Sequence, residues 1–407
     1  MLDPRHAAPL IGAIIYPPDR QPEVLQAAFA QDLQRRGFRL GGVLQTTRFG
    51  ADGRKTDMDL TDVATGHRLS IRQNLGGGSR SCSLDPAGLA EASGPLRQAI
   101  ADRVDLLVVN KFSKAERDGG GLAAEMLAAM SEGVPLLTAV PGALVEDWLT
   151  FTGGRGRILL PDMGTLWRWW GPRQLYRDLI QGVGDGCARR VVIGLNWTMV
   201  EGPDGIGLAQ TPERNTPGCR AAAGDWTGRP LAELAQGVLE WAPFAAAVGV
   251  AALNAHYNRF DLVADDGNGL DVLGRSDRMA VVGAFPGLAE RLPGAAIIDR
   301  HPAPGQFPAE AADWLLPQAE AVVITSATLT NRTLPHLLEL ADQARVALVG
   351  PGAPLTDRLF PYGITVTSGL IATDADALAR AVAEGAGARD LKRLCRHATL
   401  HRSGEPR

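Results

Sequence analysis

The chain has 407 residues, 45% of them hydrophobic and 21% charged, with a formal net charge of -4. That length exceeds one ordinary hydrophobic core, so a globular protein of two or three domains is predicted. A slightly acidic chain lacks the basic face of a general nucleic-acid binder, no apolar run reaches the roughly eighteen residues of a membrane span, and MLDPRHAAPL shows no signal-peptide pattern.

Residues 1–170 begin with LIGAIIY (10–16), which reads as a buried strand, followed by PEVLQAAFAQDLQRRG as a helix ending at Gly37. GGVLQT is a second strand, and DMDLTDVATGHRLSIRQ reads as a hairpin turning at Ala64-Thr65-Gly66. DLLVVNKF (105–112) and PLLTAV (135–140) are further strands, with GLAAEMLAAMSEG a helix between them. Strands alternating with helices predict a mainly parallel α/β sheet, whose ligands sit at the carboxyl ends of the strands. A nucleotide-binding loop there would read GxxxxGK[ST]. The chain instead offers YPPDRQPEV, where Pro17, Pro18 and Pro22 remove backbone donors. DLLVV ends on Asn110-Lys111 and not on a carboxylate for a magnesium-bound water, so ordinary P-loop hydrolysis is not expected. Lys111, Lys114 and Arg117 precede Gly119, Gly120 and Gly121 at the start of a helix. Flexible glycines and cations at a helix N-terminus suit an anion; the alternative is a solvated loop whose glycines only start the helix.

Residues 171–187 read as a connector within LWRWWGPRQLYRDLIQGVGDG (166–186). Trp167, Trp169 and Trp170 could form a binding shelf, although packing at a domain junction is the simpler reading. Residues 188–275 open with RRVVIGLNWTMVEG and GIGLAQT, two strands around a Pro-Asp-Gly turn, before a long Ala-rich helical stretch. Residues 276–390 return to α/β, with RMAVVGAF, GAAIIDR, AVVITS, RVALVG and GITVTS as strands. Residues 391–407 carry Lys392, Arg393, Arg396, Arg402 and Arg407 and read as a solvated basic tail.

VVGAFPGLAERL sets Gly283 and Gly287 at a strand-to-helix turn, and Asp299 ends the next strand. An acidic residue there would grip a ribose hydroxyl in a dinucleotide site; pairing with Arg300 is the alternative. VVITSATLTNRT passes from an apolar strand into Ser326, Thr328, Thr330, Asn331 and Thr333, and VGPGAPL follows the next strand with Gly350 and Pro351. Hydroxyls and amides at helix starts suit an oxyanion, while N-capping is the competing use of the same residue types. These loops are expected to converge on one crevice.

Cys82, Cys187, Cys219 and Cys395 lie far apart without a CxxC, which suits a reducing cytoplasm and offers no sequence-local zinc knuckle. Cys395, His397 and His401 lie close in sequence, and Asp299, His301 and Cys219 could coordinate a metal if folding brings them together. No Ser/His/Asp arrangement or pair of carboxylates is fixed by local sequence.

VIGLNWTMVEG, GLAQT, VGVAALNA, VVGAFPGL, ITSATLTNRT and GPGAPL resemble the "putative heavy-metal chelation" family across residues 188–390. The resemblance implies a small enolase-N-like α+β domain before a Rossmann-like one, with a metal or metal-bearing ligand in the cleft between them. It implies Asn196 and Asn254 on the small-domain side, and Ser326, Thr328, Asn331, Gly350 and Pro351 on the other. VVNKFSKAE, RDGGGLAAEM and VPLLTAV are similar to a bacterial P-loop-NTPase-like family of unknown function associated with molybdenum transport loci. Lacking the Lys and hydroxyl of catalysis, the first segment would share its shape more than its hydrolysis.

Together these readings predict a cytoplasmic protein that binds a heavy metal or a metal oxyanion, molybdate among them. No nucleic acid and no membrane insertion are expected, and a homo-oligomer is compatible. The alternatives are an enzyme using a nucleotide or S-adenosylmethionine-type cofactor at Gly283–Asp299, and a regulatory scaffold docking through the tryptophans.

Overall fold

The computed structural model describes residues 10–17, 21–49, 55–70, 86–213, 225–267, 269–270, 273, 276–285 and 287–403. The chain divides into two compact units, Met1–Trp170 and Gly171–Arg407.

The first unit contains β1 (Ile11–Tyr16), α1 (Pro22–Arg35), β2 (Leu40–Phe49), β3 (Lys55–Asp62), β4 (Arg68–Ser70) and α2 (Pro86–Ala101). It continues with β5 (Leu106–Val109), α3 (Lys114–Arg117), α4 (Ala123–Glu132), β6 (Leu136–Pro141), α5 (Val145–Phe151), β7 (Arg157–Leu159) and α6 (Met163–Trp170). Its sheet runs β4-β3-β2-β5-β6-β1-β7. The central strands are parallel and buried along nearly their whole length, which is why IGAIIY, LLVV and LLTAV read as apolar runs without alternation. β2, β3 and β4 form the antiparallel edge. Asp62 closes the predicted hairpin, accepting from the Ala64 amide at 2.9 Å and the Thr65 hydroxyl at 2.6 Å.

The tryptophans are not a shelf. Trp167, Trp169 and Trp170 are buried on α6, inside the first unit. Trp167 and Trp170 meet Phe29 and Phe38 edge-on, at 5.5 Å and 5.3 Å between ring centroids. Burying these large apolar rings closes a core and leaves no docking face.

The second unit contains α7 (Leu175–Gln181), β8 (Arg190–Ile193), β9 (Trp197–Glu201), β10 (Ile206–Gln210), α8 (Leu231–Ala235) and α9 (Pro243–Tyr257). Then come β11 (Met279–Val282), α10 (Leu288–Arg291), β12 (Ala296–Asp299), β13 (Phe307–Pro308), α11 (Ala312–Leu315), β14 (Ala321–Thr325), α12 (Ala327–Thr330) and α13 (Leu334–Leu340). The last elements are β15 (Arg345–Val349), β16 (Ile364–Ala372), α14 (Ala375–Ala383), α15 (Ala388–Leu391) and β17 (Cys395–His401). β8, β9 and β10 make a small antiparallel sheet, against which the Ala-rich α9 packs closely. The larger sheet runs β13-β12-β11-β14-β15-β16-β17, parallel except for β17. From β11 the order proceeds outward in both directions, so the loops after β11 and β14 part and open a crevice at their carboxyl ends.

The basic C-terminal segment is not a solvated tail. Cys395–His401 pairs antiparallel with β16, and Cys395, Ala398 and Thr399 are buried. Its outer side is bridged by Asp265, which exchanges backbone bonds with Thr399 at 2.9 and 3.0 Å. Of the charges that suggested a tail, Arg396 lies on this strand and Lys392, Arg393 and Arg402 flank it, while Arg407 lies outside the described residues. Nor is 171–187 a free connector. On α7, Tyr176 donates to the Leu329 carbonyl at 3.0 Å, and the buried Asp178 takes the Arg358 guanidinium at 2.5 Å and the Tyr362 hydroxyl at 2.8 Å.

Removing one partner of a buried charge pair leaves the other uncompensated. Asp178→Ala is therefore expected to destabilise the second unit by about 3–5 kcal/mol. Urea unfolding followed by a probe in that unit measures it; a loss below about 1 kcal/mol would deny Asp178 this role.

Candidate functional site

At the carboxyl ends of β11, β12 and β14 two adjoining cavities of about 420 and 370 Å³ share the walls Gln210, Glu213, Arg300, His301, Ala327 and Asn331. Together they form one cleft. The end of β10 and the start of α9 supply one wall, with Gln210, Glu213 and Trp241. The larger sheet supplies the other, with Gly283, Asp299, Thr328 and Asn331.

Two histidine–carboxylate pairs line the cleft. His301 Nε2 lies 3.7 Å from Glu213 and spans from the β12 end to the β10 end, with both side chains largely exposed. His336 Nε2 lies 2.9 Å from Asp313, joining α13 to α11. At the mouth, Arg332 stands in the left-handed region at φ 65°. It is held there by bonds to the Leu239 and Glu240 carbonyls at 3.1 and 3.2 Å and by the Trp241 ring at 4.1 Å. A long side chain stays in that conformation only where its surroundings over-determine it.

The small polar residues that drew attention in VVITSATLTNRT mostly serve the fold. Ser326 accepts from the Gly352 amide at 3.2 Å, and Thr328 donates to the Thr325 carbonyl at 2.6 Å. Asn331 accepts from the Thr333 amide at 3.1 Å and hydroxyl at 2.7 Å. Thr330 differs: the residue lines the cleft, and its hydroxyl is buried with no hydrogen-bond partner among the described residues. Both oxygens of Asp299 accept backbone amides, from Ala284 at 2.7 Å and His301 at 2.9 Å. The carboxylate thus fixes the loop after β11. The helix following that loop, α10, has only four residues, too short to present the dipole a pyrophosphate would use.

The expected single crevice is two. Gly283, Asp299, Thr328 and Asn331 meet in the cleft, whereas Gly287, Gly350 and Pro351 open into a separate cavity. A buried loop, Gly352–Thr356, follows Pro351 directly and is tied down from several elements. Asn254 donates to the Gly352 carbonyl at 2.9 Å, Asn258 to that of Ala353 at 3.1 Å, and Thr367 to that of Pro354 at 2.8 Å. Gly350 sits at φ 139°, and a Cβ there would stand 2.5 Å from the Ser326 hydroxyl, so only glycine fits. Asn254 is fully buried and does not reach the cleft. Asn196 points elsewhere, donating to the Gly385 carbonyl at 2.8 Å.

In the first unit the glycine loop carries its own anion. Glu116 is buried and accepts from the Ser113 amide at 2.8 Å and hydroxyl at 2.5 Å, and from the Leu122 amide at 3.3 Å. A Cβ at Gly121 would run into this carboxylate. Of the residues expected to offer donors to a ligand there, Lys111, Lys114, Gly119, Gly120 and Gly121, the Gly119 and Gly120 amides are already spent on the Glu116 and Ala115 carbonyls, at 3.1 and 2.8 Å.

No group of three or more His, Cys, Asp or Glu in metal-holding geometry occurs among the described residues. Cys219 lies outside them. Cys395, His397 and His401 sit on a strand, and burial pushes the Cys395 thiol up to about 12. A metal needs the thiolate, so this cysteine is a poor ligand. Sequence reasoning passed over Gln210, Glu213, Trp241, Arg332, Asp313 and His336, single residues from distant segments with no local pattern to mark them.

Residues 11–169 match a family described as "Protein of unknown function (DUF2478)". Residues 176–257 and 268–401 match two families that share the description "Putative heavy-metal chelation". Both of these matches fall within the second unit. Over 169 residues the chain is 45% identical to the molybdenum import ATP-binding protein ModC 2 of Bradyrhizobium diazoefficiens, a match covering 42% of this chain and 18% of that protein. The chain thus spans under a fifth of this curated relative. A crystal structure of a protein of unknown function from the DUF364 family of Desulfitobacterium hafniense is 29% identical with a TM-score of 0.51, covering 56% of this chain and 98% of that one. A DUF364-family protein of unknown function from Pyrococcus horikoshii is 16% identical at the same TM-score and coverage, a likeness of fold alone.

Burial keeps the Cys395 thiol protonated at pH 8 and so unreactive. Iodoacetamide on the native protein is expected to label the exposed Cys187 and to spare Cys395, read by peptide mass spectrometry. Equal labelling would show that β17 is not docked.

Proposed function

We propose that the second unit binds a small metal-bearing ligand, a chelate or an oxyanion such as molybdate, in the cleft between the β10 end and the carboxyl ends of β11, β12 and β14. The observation that carries this reading is the lining of that cleft: two separate histidine–carboxylate pairs together with Arg300 and Arg332. Structural metal sites take four protein ligands and catalytic ones three. Pairs of donors suit a metal that arrives with ligands of its own, or an oxyanion whose oxygens meet guanidinium groups and imidazole N–H groups.

The matched chelation families agree with a metal-related role. Molybdate is the first oxyanion to try because a relative of the first unit is named for molybdenum import. The Glu213–His301 pair is exposed and therefore weak, so it can part to admit a ligand. A Rossmann-like domain and a small α+β domain enclosing the ligand fit a binding role in metal homeostasis, and no covalent chemistry is needed. The described cysteines are free thiols, which fits a cytoplasmic location. No helix among the described residues is long and apolar enough to cross a membrane.

Calorimetric titration of the full chain with molybdate, with zinc or nickel alone, and with the same metals as citrate chelates tests the reading. Molybdate or a chelate should bind saturably near micromolar levels, and the bare metals more weakly. The Arg300→Gln, His301→Ala variant should weaken binding about tenfold, a change of about 1.4 kcal/mol. Absence of binding by molybdate and by every chelate would overturn the proposal.

A further inference from the structure

Two kinds of contact join the small sheet and its helices to the larger sheet. One kind is buried: Asn254 on α9 donates to the Gly352 carbonyl at 2.9 Å, and Asn258 at the end of α9 to those of Ala353 and Leu370 at 3.1 and 3.3 Å. The other kind lies at the rim of the cleft, within reach of water. There Glu213 meets His301, and Arg332 reaches the Leu239 and Glu240 carbonyls and the Trp241 ring, which is 70% exposed. Buried hydrogen bonds are costly to leave unmade, whereas exposed ion pairs and cation–π contacts are weak. The walls are therefore held firmly by the buried bonds and only loosely at the rim.

Arg332 stands out among the rim residues by its backbone. At φ 65° glycine would be free of strain, and glycine is the usual residue at helix ends of this kind. The chain carries arginine there instead, between α12 and α13, and its side chain crosses to the end of the 3-10 turn Gln236–Leu239. Carbonyls at such an end lack partners within the turn, so a guanidinium suits them. Next to it, Asn331 fastens its own loop through the Thr333 amide and hydroxyl, so the arginine starts from a firm base. With the ties made, the backbone is held in the left-handed region; with the ties broken, it relaxes. Those are the two states of a switchable contact.

We infer that Arg332 is a latch across the mouth of the cleft. Closed, as in this structure, it holds the Leu239–Trp241 turn against the α12–α13 loop; open, it lets a ligand enter or leave. The inference deepens the binding role proposed above and rests on that reading for the ligand, though not for the motion. An oxyanion in the cleft offers further acceptors to the same five-donor guanidinium, so ligand and latch favour the closed form together.

The first test needs no ligand. Ala327 lines both halves of the cleft, so Ala327→Cys places a thiol inside it, and the exposed Cys187 serves as internal reference. Labelling of the full chain by fluorescein maleimide, too bulky for a closed mouth, is followed by peptide mass spectrometry. Adding Arg332→Met keeps the length of the side chain and removes both bonds, and it should speed labelling of the introduced thiol relative to Cys187 at least about tenfold. Arg332→Gly should do the same with a backbone that suits φ 65° unaided, which keeps the test valid if the first variant folds poorly. Arg332→Lys keeps a cation for the ring and the carbonyls and should restore most of the protection. Unchanged labelling in the Met and Gly variants would overturn the latch. So would an equal acceleration for iodoacetamide, which is small enough for the closed mouth. Where molybdate or a chelate binds, Arg332→Met should release it at least about tenfold faster in stopped flow, and an unchanged release rate would also overturn the latch. A failed titration counts against the cleft's ligand alone, and unchanged labelling against the latch alone.

Discussion

The second unit is organised by the need to satisfy one buried loop. Gly352–Thr356 is irregular backbone in a dry interior, where each unpaired amide or carbonyl would forfeit a hydrogen bond that water supplied. Asn254 from α9, Asn258 at its C-terminal cap, Ser326 from the end of β14 and Thr367 from β16 meet that demand. Asn254 also donates to Leu208 on β10 at 2.8 Å, so the same side chain ties the small sheet to the larger one. The loop is thereby fixed where the strands end. Asn331 opens into the cleft, and Gly350 and Pro351 open into the separate cavity.

Much of this architecture is legible in the sequence because buried parallel strands must be apolar throughout. MAVV, AVVIT and RVALV announce themselves in that way. β17 does not, because Arg396 and His397 sit on a strand only partly buried and read as a charge run. Its partner residues in β16 are about thirty positions away, beyond any local pattern. The tryptophans of α6 were legible as packing residues, but not as part of the first unit's own core, since Phe29 and Phe38 that receive them lie far upstream.

The candidate site was legible as a polar rim and illegible in its detail. Ser326 is bonded to an amide twenty-six positions on, and Glu116 to both sides of its own glycine loop. A sequence shows that a hydroxyl or carboxylate is present and not whether the fold has already used it. The cleft's chemistry instead rests on His301, His336, Glu213 and Asp313, ordinary surface residues until folding pairs them. Both units also share a design: a doubly wound sheet whose first strand has neighbours on both sides that come later in the chain.

The way the two large sheets end has a consequence for how the protein keeps to itself in a crowded solution. An open strand edge is a template on which another chain can add. Among the described residues β4 and β7 are three residues each, and β13 is two, one of them a proline that cannot donate. The longer β17 is covered in part by the Asp265 bridge. Among the described residues these edges offer a second molecule only short stretches to extend, which works against amyloid-like growth from such apolar sheets.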